Sequence, residues 1–521
     1  MIYEESYMEG IKSLEADICV VGAGPAGISL AIELMDTGLS VLLLESGGYE
    51  FSPVVQSMYQ GEIIGQAYAP LEESRLRYFG GSSNHWNGKC APLSPLELAG
   101  RRSWDGSAWP IEPQELIGPY IRAQELCQLS GFDVYSESLS ALNKEAAKAS
   151  DSAIGSLLGH RVFQRSPPTR FGEVYRATLM ASKNIHVQLG ATVTELKAVS
   201  SGEHIEEAMV STLSGKHITV KAQKFVLATG GLENVRLLLN SNNTNPKGIG
   251  NNYDLVGRYF MEHLQIHDAA VAITHSHSSD WAIFNRWLEH KGVNIQVDLT
   301  LPDEVFFDSD FPVCDFQAGK FRRLDKSSRK SSRFILESLA DFSMPANIGL
   351  HSQNIKKRLY EKFHDNQRGP YSFKIAVSME QPPLVSSRVT LGDTLDRLGQ
   401  RRIALDWHVP EQIYDDFRMI LMELGRRMIN GRLGTIQILI DSYDSFLQAL
   451  KWQWHHMGTT RMSREPDAGV VDPDCRVHGV DNLFIAGSSV FPSGGVVNPT
   501  LTICALSVRL AHHIKAQKGN M

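Results

Sequence analysis

Three glycines at a fixed spacing, in Gly22-Ala-Gly24-Pro-Ala-Gly27, carry the plainest chemistry in this chain. They follow the apolar run Asp17-Ile-Cys-Val-Val21 and precede a helical pattern through Met35, so a strand should turn into a helix on a loop almost bare of side chains. Such a loop lets the backbone approach a pyrophosphate, and the helix end beyond it offers free N–H groups and a partial positive charge. Glu45 closes the next apolar run, Leu39 to Glu45. An acid roughly 20 residues past the loop accepts hydrogen bonds from ribose hydroxyls and disfavours a ribose phosphate. The unit predicts dinucleotide binding, although the loop alone does not separate FAD from NAD.

Two more apolar runs end in glycine, Phe225-Val-Leu-Ala-Thr-Gly-Gly231 and Asn482-Leu-Phe-Ile-Ala-Gly487. A last helix is predicted from Thr500 to Ile514, with Asn498-Pro499 in front of it. Proline suits that early position, and the helix presents its positive end to whatever lies before it, a good place for a developing anion. His455 and His456 are adjacent, and on residues alone one would pack and the other would face water.

These groups must be held by a large frame. The chain has 521 residues with 42% apolar composition, too much for one simple layer stack, so two interleaved domains are expected. Val187 to Thr219 alternates as hairpins do. Ser387-Arg-Val-Thr-Leu391 and Ile403-Ala-Leu-Asp-Trp407, within Tyr371 to Trp407, read as neighbouring strands of a separate antiparallel sheet. Ser276 to Gln367, with the basic cluster Lys320 to Arg333, shows no clear period and reads as insertions and loops.

A net charge of -7 leaves no basic footprint for nucleic acid. No run of eighteen apolar residues occurs, and Glu4, Glu5, Glu9 and Glu15 stand where a secretory signal would need basic and then apolar residues, so no membrane span and a cytoplasmic location are expected. The six cysteines form no CxxC pair, which argues against a disulfide framework, and no metal site is expected.

Four segments together resemble the glucose–methanol–choline (GMC) family of flavoprotein oxidoreductases. They are Val21 to Glu45, Phe79-Gly-Gly-Ser-Ser-Asn-His-Trp86, Val226-Leu-Ala-Thr-Gly-Gly-Leu-Glu-Asn234, and the tail from His455 through Leu506. The tail reads His455-His-Met-Gly-Thr-Thr-Arg-Met462 and Asn498-Pro-Thr-Leu-Thr502, similar to the branch of pyranose oxidase and bacterial sugar dehydrogenases. The resemblance implies an α/β protein in which a Rossmann-like FAD-binding domain (1–100, 187–265 and 453–521) is interleaved with an α+β substrate domain built on an antiparallel sheet (101–186 and 266–452).

It also implies that FAD lies along Gly22, Gly24, Gly27, Glu45, Gly81, Ser82, Asn84, His85, Val193, Thr229, Gly230, Gly487, Ser488, Asn498 and Thr500. His455 would be the base that takes the substrate hydroxyl proton, with Asn498 fixing the same oxygen and His456 structural. His85 occupies the place of a covalent flavin attachment in pyranose oxidase, yet Asn84 stands before it instead of threonine, so a bonded and a merely neighbouring histidine are both open. Arg461 and Arg388 read as scaffold residues. Arg165 to Gly172 and the triplet Met261-Glu262-His263 read either as surface or as walls of the site.

The implied reaction is FAD-dependent oxidation of an alcohol to a carbonyl, on a sugar, glycoside, cyclitol or sugar-bearing metabolite, with oxygen or a redox carrier taking the electrons. Oxidation of an apolar alcohol (sterol or aryl alcohol) and a non-catalytic redox sensor are the alternatives.

Overall fold

The computed structural model describes residues 1–142, 153–274, 281–285, 287–320, 322–323 and 371–518. Strand Ser13–Val21 is buried throughout its last four, apolar residues, as expected of a strand covered on both faces. It pairs in parallel with Val41–Leu44 on one side and with His217–Leu227 on the other. Ile185–Gln188 and then Ile2–Tyr3 extend the parallel sheet outward from Val41–Leu44. Strand His217–Leu227 serves two further neighbours: its first residues pair antiparallel with Ile205–Ser211, and its last three pair in parallel with Leu483–Ile485. The hairpins expected over Val187 to Thr219 are thus a meander, Thr192–Ala198 to Ile205–Ser211 to His217–Leu227, joined to the parallel sheet through its last strand.

Because these central strands run the same way, Val21, Leu44, Leu227 and Ile485 all end at one edge of the sheet. The chain turns there on Gly22, Gly230 and Gly487, with φ of 104°, 87° and 117°, values that an L side chain rarely adopts. Ligands of open α/β sheets bind at such carboxyl ends. Two helices brace this edge from behind. Pro25–Glu33 starts on Gly24 with proline in its first turn, and Thr500–Lys518 packs against it and against Pro113–Leu126.

The second sheet is antiparallel and ten-stranded, with Gly434–Ile438, Leu264–Thr274, Tyr371–Met379, Cys314–Ala318, Val293–Thr300, Gly159–Arg165 and Lys89–Cys90 in spatial order. Val293–Thr300 shows the alternation on which it is built. In Val293–Thr300 the apolar Val293, Ile295, Val297 and Leu299 share one face, and Gln296 and Asp298 share the other. The apolar face packs on the amphipathic helix Glu411–Asn430, where Leu299, Phe316, Ala318, Phe373 and Ile375 meet Leu424 and Met428. The polar face is turned inward, toward the nucleotide-type sheet.

Two expectations change here. The region 276–367 holds regular strands at Val293–Thr300 and Cys314–Ala318, whose polar alternate residues hide the period from a composition-based reading. Most of the basic cluster Lys320 to Arg333 lies outside the described residues. Arg388–Leu395 and Arg401–Asp406 do pair antiparallel, but they form a small third sheet with Glu62–Ile63, while Tyr371–Met379 belongs to the large one. Pro382 and Pro383 have no N–H to continue a ladder, and the chain leaves the large sheet there.

Candidate active site

The first glycine loop is built from two kinds of glycine. A Cβ on Gly27 would lie 1.9 Å from the Gly22 carbonyl oxygen, and one on Gly22 would lie 2.6 Å from that of Ala228, so both are demanded by the packing of helix on strand. Gly24 differs, since a Cβ there meets nothing within 4 Å, and the same is true at Gly230 and Gly487. All three face open space at the carboxyl edge of the sheet. Its bare backbone turns and N–H donors fit a dinucleotide whose pyrophosphate lies on the Pro25–Glu33 helix end.

Glu45 is buried and holds the loop, accepting the Ala23 N–H and the Gly47 N–H at 2.9 Å each, one on each oxygen. Burial raises its pKa, against the pull of those bonds and of Arg77. Each oxygen retains a second lone pair for a ribose hydroxyl. Ala191 N–H bonds the Glu45 carbonyl at 2.8 Å, which brings Val193 close to Glu45.

The segment Phe79–Trp86 crosses this loop. Gly80 N–H bonds the Ala23 carbonyl at 2.9 Å, and a Cβ on Gly81 would come within 3.0 Å of Gly24 Cα. A short turn, Gly81–Asn84, follows, in which Ser82 accepts the Leu76 N–H and Asn84 donates to the Phe79 carbonyl. His85 then stacks on Trp454, with ring centroids 5.5 Å apart. Burial lowers its pKa, helped by Arg170. Arg165 to Gly172 braces this segment: Arg170 donates to the Ser83 carbonyl at 2.6 Å and Trp86 to that of Thr169 at 3.0 Å. Around the other two turns, Thr229 donates to Asn234, which donates to Ser489, while Ser488 donates to the His456 carbonyl.

Met261 and Met457 exchange backbone hydrogen bonds at 3.0 and 3.1 Å, which lays Met261–His263 antiparallel to His455–Met457. Glu262 fastens the two together. Its Oε1 accepts the N–H of His263 and of His455, each at 2.9 Å, and its Oε2 accepts the Tyr68 hydroxyl at 2.6 Å. Burial lifts Glu262 to about 7 despite those bonds. His456 points away to Tyr68, 3.1 Å off, and burial drops it to about 3.

His455 is half-buried and makes two ring contacts: Nδ1 lies 2.9 Å from His263 Nδ1, and Nε2 lies 3.3 Å from Asn498 Nδ2. His263 Nε2 lies 3.2 Å from the Gly494 carbonyl. Burial holds His263 down at about 4 and His455 well below its ordinary value, the latter also opposed by His263 and His456, so both rings are neutral near pH 7. A carbonyl only accepts, so His263 carries its proton on Nε2 and offers Nδ1 as an acceptor. His455 must then carry its proton on Nδ1. Its Nε2 is left with a lone pair, the form a general base needs.

Asn498 and Val496 reach a cavity of about 230 Å³ that is also lined by Asn87, Lys89, Phe163, Arg165, Gln265, Trp287, Gln296, Asp298, Asp315, Gln317, Ser378 and Gln453. Its floor is the inward polar face of the ten-stranded sheet. Trp454, beside His455, holds φ of 60°, a conformation rare for a large side chain. Arg461 sits with its guanidinium 3.5 Å from the centre of the Tyr259 ring and donates to the Ala468 and Asp105 carbonyls, and Arg388 pairs with Asp254, both scaffold positions. Among the described residues no group of three His, Cys, Asp or Glu could hold a metal ion. No helix among them is long and apolar enough to cross a membrane.

His455 and Asn498 thus meet, although 43 residues separate them. Glu262 and His263 stood out in the sequence only as possible walls of the site, and their signal was two titratable residues set between apolar Met261 and Leu264. Tyr68 gave no signal at all.

Residues 383–507 match the family model described as GMC oxidoreductase, and residues 15–52 match an FAD binding domain. Among curated relatives, the fructose dehydrogenase large subunit of Gluconobacter japonicus is 28% identical over 57% of this chain, a match spanning 47% of that subunit. The 6'''-hydroxyparomomycin C oxidase of Streptomyces lividus is 24% identical over 96% of this chain and 92% of its own. The crystal structure of pyridoxine 4-oxidase from Mesorbium loti shares the fold, with TM-score 0.58 and 18% identity over 95% of this chain and 98% of that one.

Proposed function

We propose that the chain, whose residues 383–507 match the GMC oxidoreductase model, is a GMC oxidoreductase that oxidises a CH–OH group of a sugar, glycoside, cyclitol or sugar-bearing metabolite to a carbonyl. FAD is the cofactor, and the glycine turns at the carboxyl edge of the parallel sheet, with Glu45, Val193, Asn498 and Thr500, would hold it. When bound, it supplies the acceptor for the hydride. Oxygen or a redox carrier takes the electrons afterwards.

The observation that carries this reading is the one-way hydrogen-bond chain from Gly494 through His263 to His455, whose Nε2 meets Asn498, a residue that lines a cavity rich in amides and carboxylates. In the reaction His455 Nε2 takes the hydroxyl proton as the carbinol hydrogen leaves with its electron pair. Asn498 Nδ2 donates to the same oxygen, and its neutral amide fixes the alcohol's direction without changing the charge of the site. Glu262 keeps His455 in place through its backbone N–H. The many side-chain amides of the cavity can both donate to and accept from hydroxyls, which suits a polyol and would leave an apolar alcohol facing unsatisfied groups. Relatives named for fructose and for 6'''-hydroxyparomomycin C support the same substrate class.

Anaerobic mixing of the holoenzyme with sugars, cyclitols, glycosides, sterols and aryl alcohols tests the proposal. Polyols are expected to bleach the flavin. Bleaching by sterols or aryl alcohols alone would show the wrong substrate class, and bleaching by none would favour a redox sensor.

A further inference from the structure

Two carboxylates, Asp298 and Asp315, sit side by side in the floor of the cavity, and their hydrogen bonding is unequal. Asp298 has a donor on each oxygen: Lys89 Nζ and Gln317 Nε2 reach its Oδ2 at 2.6 and 3.3 Å, and Gln296 Nε2 reaches Oδ1 at 2.5 Å. Asp315 receives Arg161 Nε on Oδ1 at 3.1 Å, while its buried Oδ2 has no hydrogen-bond partner among the described residues. Asp315 is also pinned. Arg161 is shared with Glu97 at 3.0 Å, and Glu97 in turn accepts the Val496 N–H at 2.9 Å, two residues from Asn498. Turning the carboxylate to carry Oδ2 to another donor would disturb its bond to Arg161. An acceptor left bare in a buried position is unfavourable unless something else supplies the donor. Strand alternation aims Asp315 and Gln317 at the cavity and not at the apolar layer behind them, and burial lifts the Asp315 pKa to about 6.

We propose that Asp315 anchors the substrate, its Oδ2 accepting a hydrogen bond from a hydroxyl other than the one oxidised. This rests on the reading of the cavity as a polyol site. Of the cations at this end, Lys89 and Arg161 are already paired with Asp298, Asp315 and Glu97, and the exposed Arg165 lies over the Trp287 ring, so the buried open valence is an acceptor. It selects a neutral hydroxyl donor and disfavours sugars carrying phosphate or carboxylate at that position. Asp315 therefore sets which polyol fits and how it lies against His455, and it takes no proton or hydride itself.

The test is a binding cycle on the anaerobically reduced holoenzyme, which cannot turn the substrate over. Calorimetric Kd values are taken for the polyol that best bleaches the flavin and for each of its monodeoxy analogues, with wild type and Asp315→Asn. The variant keeps the size of the side chain but can present a donor where the acceptor stood. Wild type is expected to lose about 10- to 100-fold in affinity for one deoxy analogue, the weight of a hydrogen bond to a charged group. Asp315→Asn should lose as much for the parent polyol and nothing more for that analogue, while the other analogues stay sensitive to it. Should Asp315→Asn not retain FAD, Asp315→Glu runs the same cycle, because the extra methylene displaces the acceptor.

Equal losses for all ligands, or no loss for the parent, would overturn the assignment while leaving the proposed oxidation intact. If no polyol bleaches the wild-type flavin, the oxidation reading falls first and Asp315 with it.

Discussion

Replacing His263 with alanine removes the group that orders the protons of His455, without touching either His455 or Asn498. In the wild type the Gly494 carbonyl fixes the His263 tautomer, and His263 Nδ1, 2.9 Å away, fixes that of His455. Without His263 the Nδ1–H of His455 loses its acceptor, and the form with a protonated, useless Nε2 becomes accessible. A neutral hydrogen bond contributes ~0.5–1.5 kcal/mol net, which corresponds to roughly 2- to 13-fold in rate if the whole bias acts on the proton-transfer step. His455→Ala should lose much more, ~10²–10⁴-fold, because the base itself is gone. The assay is anaerobic stopped-flow reduction of the flavin at saturating polyol, with FAD content measured for each variant. His263→Asn, whose amide oxygen can accept, is expected to recover part of the loss. A His263→Ala enzyme that keeps its FAD and reduces it at the wild-type rate would refute the tautomer argument.

Gly24→Leu should fold normally yet purify without FAD, because its Cβ would meet no protein atom within 4 Å and the side chain would project into the open space expected to take the pyrophosphate, and absorbance together with thermal melting would show this. Gly27→Ala should instead lower the melting temperature or abolish folding, its Cβ lying 1.9 Å from the Gly22 oxygen. Glu262 has a folded pKa of about 7 against an ordinary value of 4.5, so the folded state holds its proton more tightly and stability declines as pH rises through that window. Glu262→Gln removes that decline, and melting at pH 5 and pH 8 should show the variant gaining on wild type by up to about 3 kcal/mol. Acid precipitation should leave the flavin in the supernatant, with His85 a stacked neighbour of Trp454; a yellow pellet that becomes colourless in His85→Ala would reverse this.

Local signals made the nucleotide-type sheet legible. Ile18 to Val21 and, in the next strand, Val41 to Leu44 are buried apolar runs, and Gly22, Gly27, Gly230 and Gly487 beyond the sheet edge are forced by positive φ or close approach. The pairing of His455 with Asn498 was accessible only through the family resemblance, since adjacency of two histidines says nothing about which one reaches a site. Glu262, His263 and Tyr68 escaped because their roles are long-range: the contact of His263 with His455 spans 192 residues, and no local pattern encodes it. The substrate floor escaped for a different reason. Alternation such as Cys314-Asp315-Phe316-Gln317-Ala318 looks like a strand with one wet face, and only the tertiary fold shows that this face lines an interior cavity.

The most direct test of the central claim, hydride removal from an alcohol carbon assisted by His455, is single-turnover anaerobic flavin reduction with a polyol deuterated at the oxidised carbon. Wild type, His455→Ala and His456→Ala would be compared. The expected result is a slower reduction with deuterium in wild type, a His455→Ala rate lower by ~10²–10⁴-fold with the isotope effect kept, and a His456→Ala enzyme that still reduces its flavin. Reduction at the wild-type rate in His455→Ala, with the loss falling on His456→Ala instead, would contradict it.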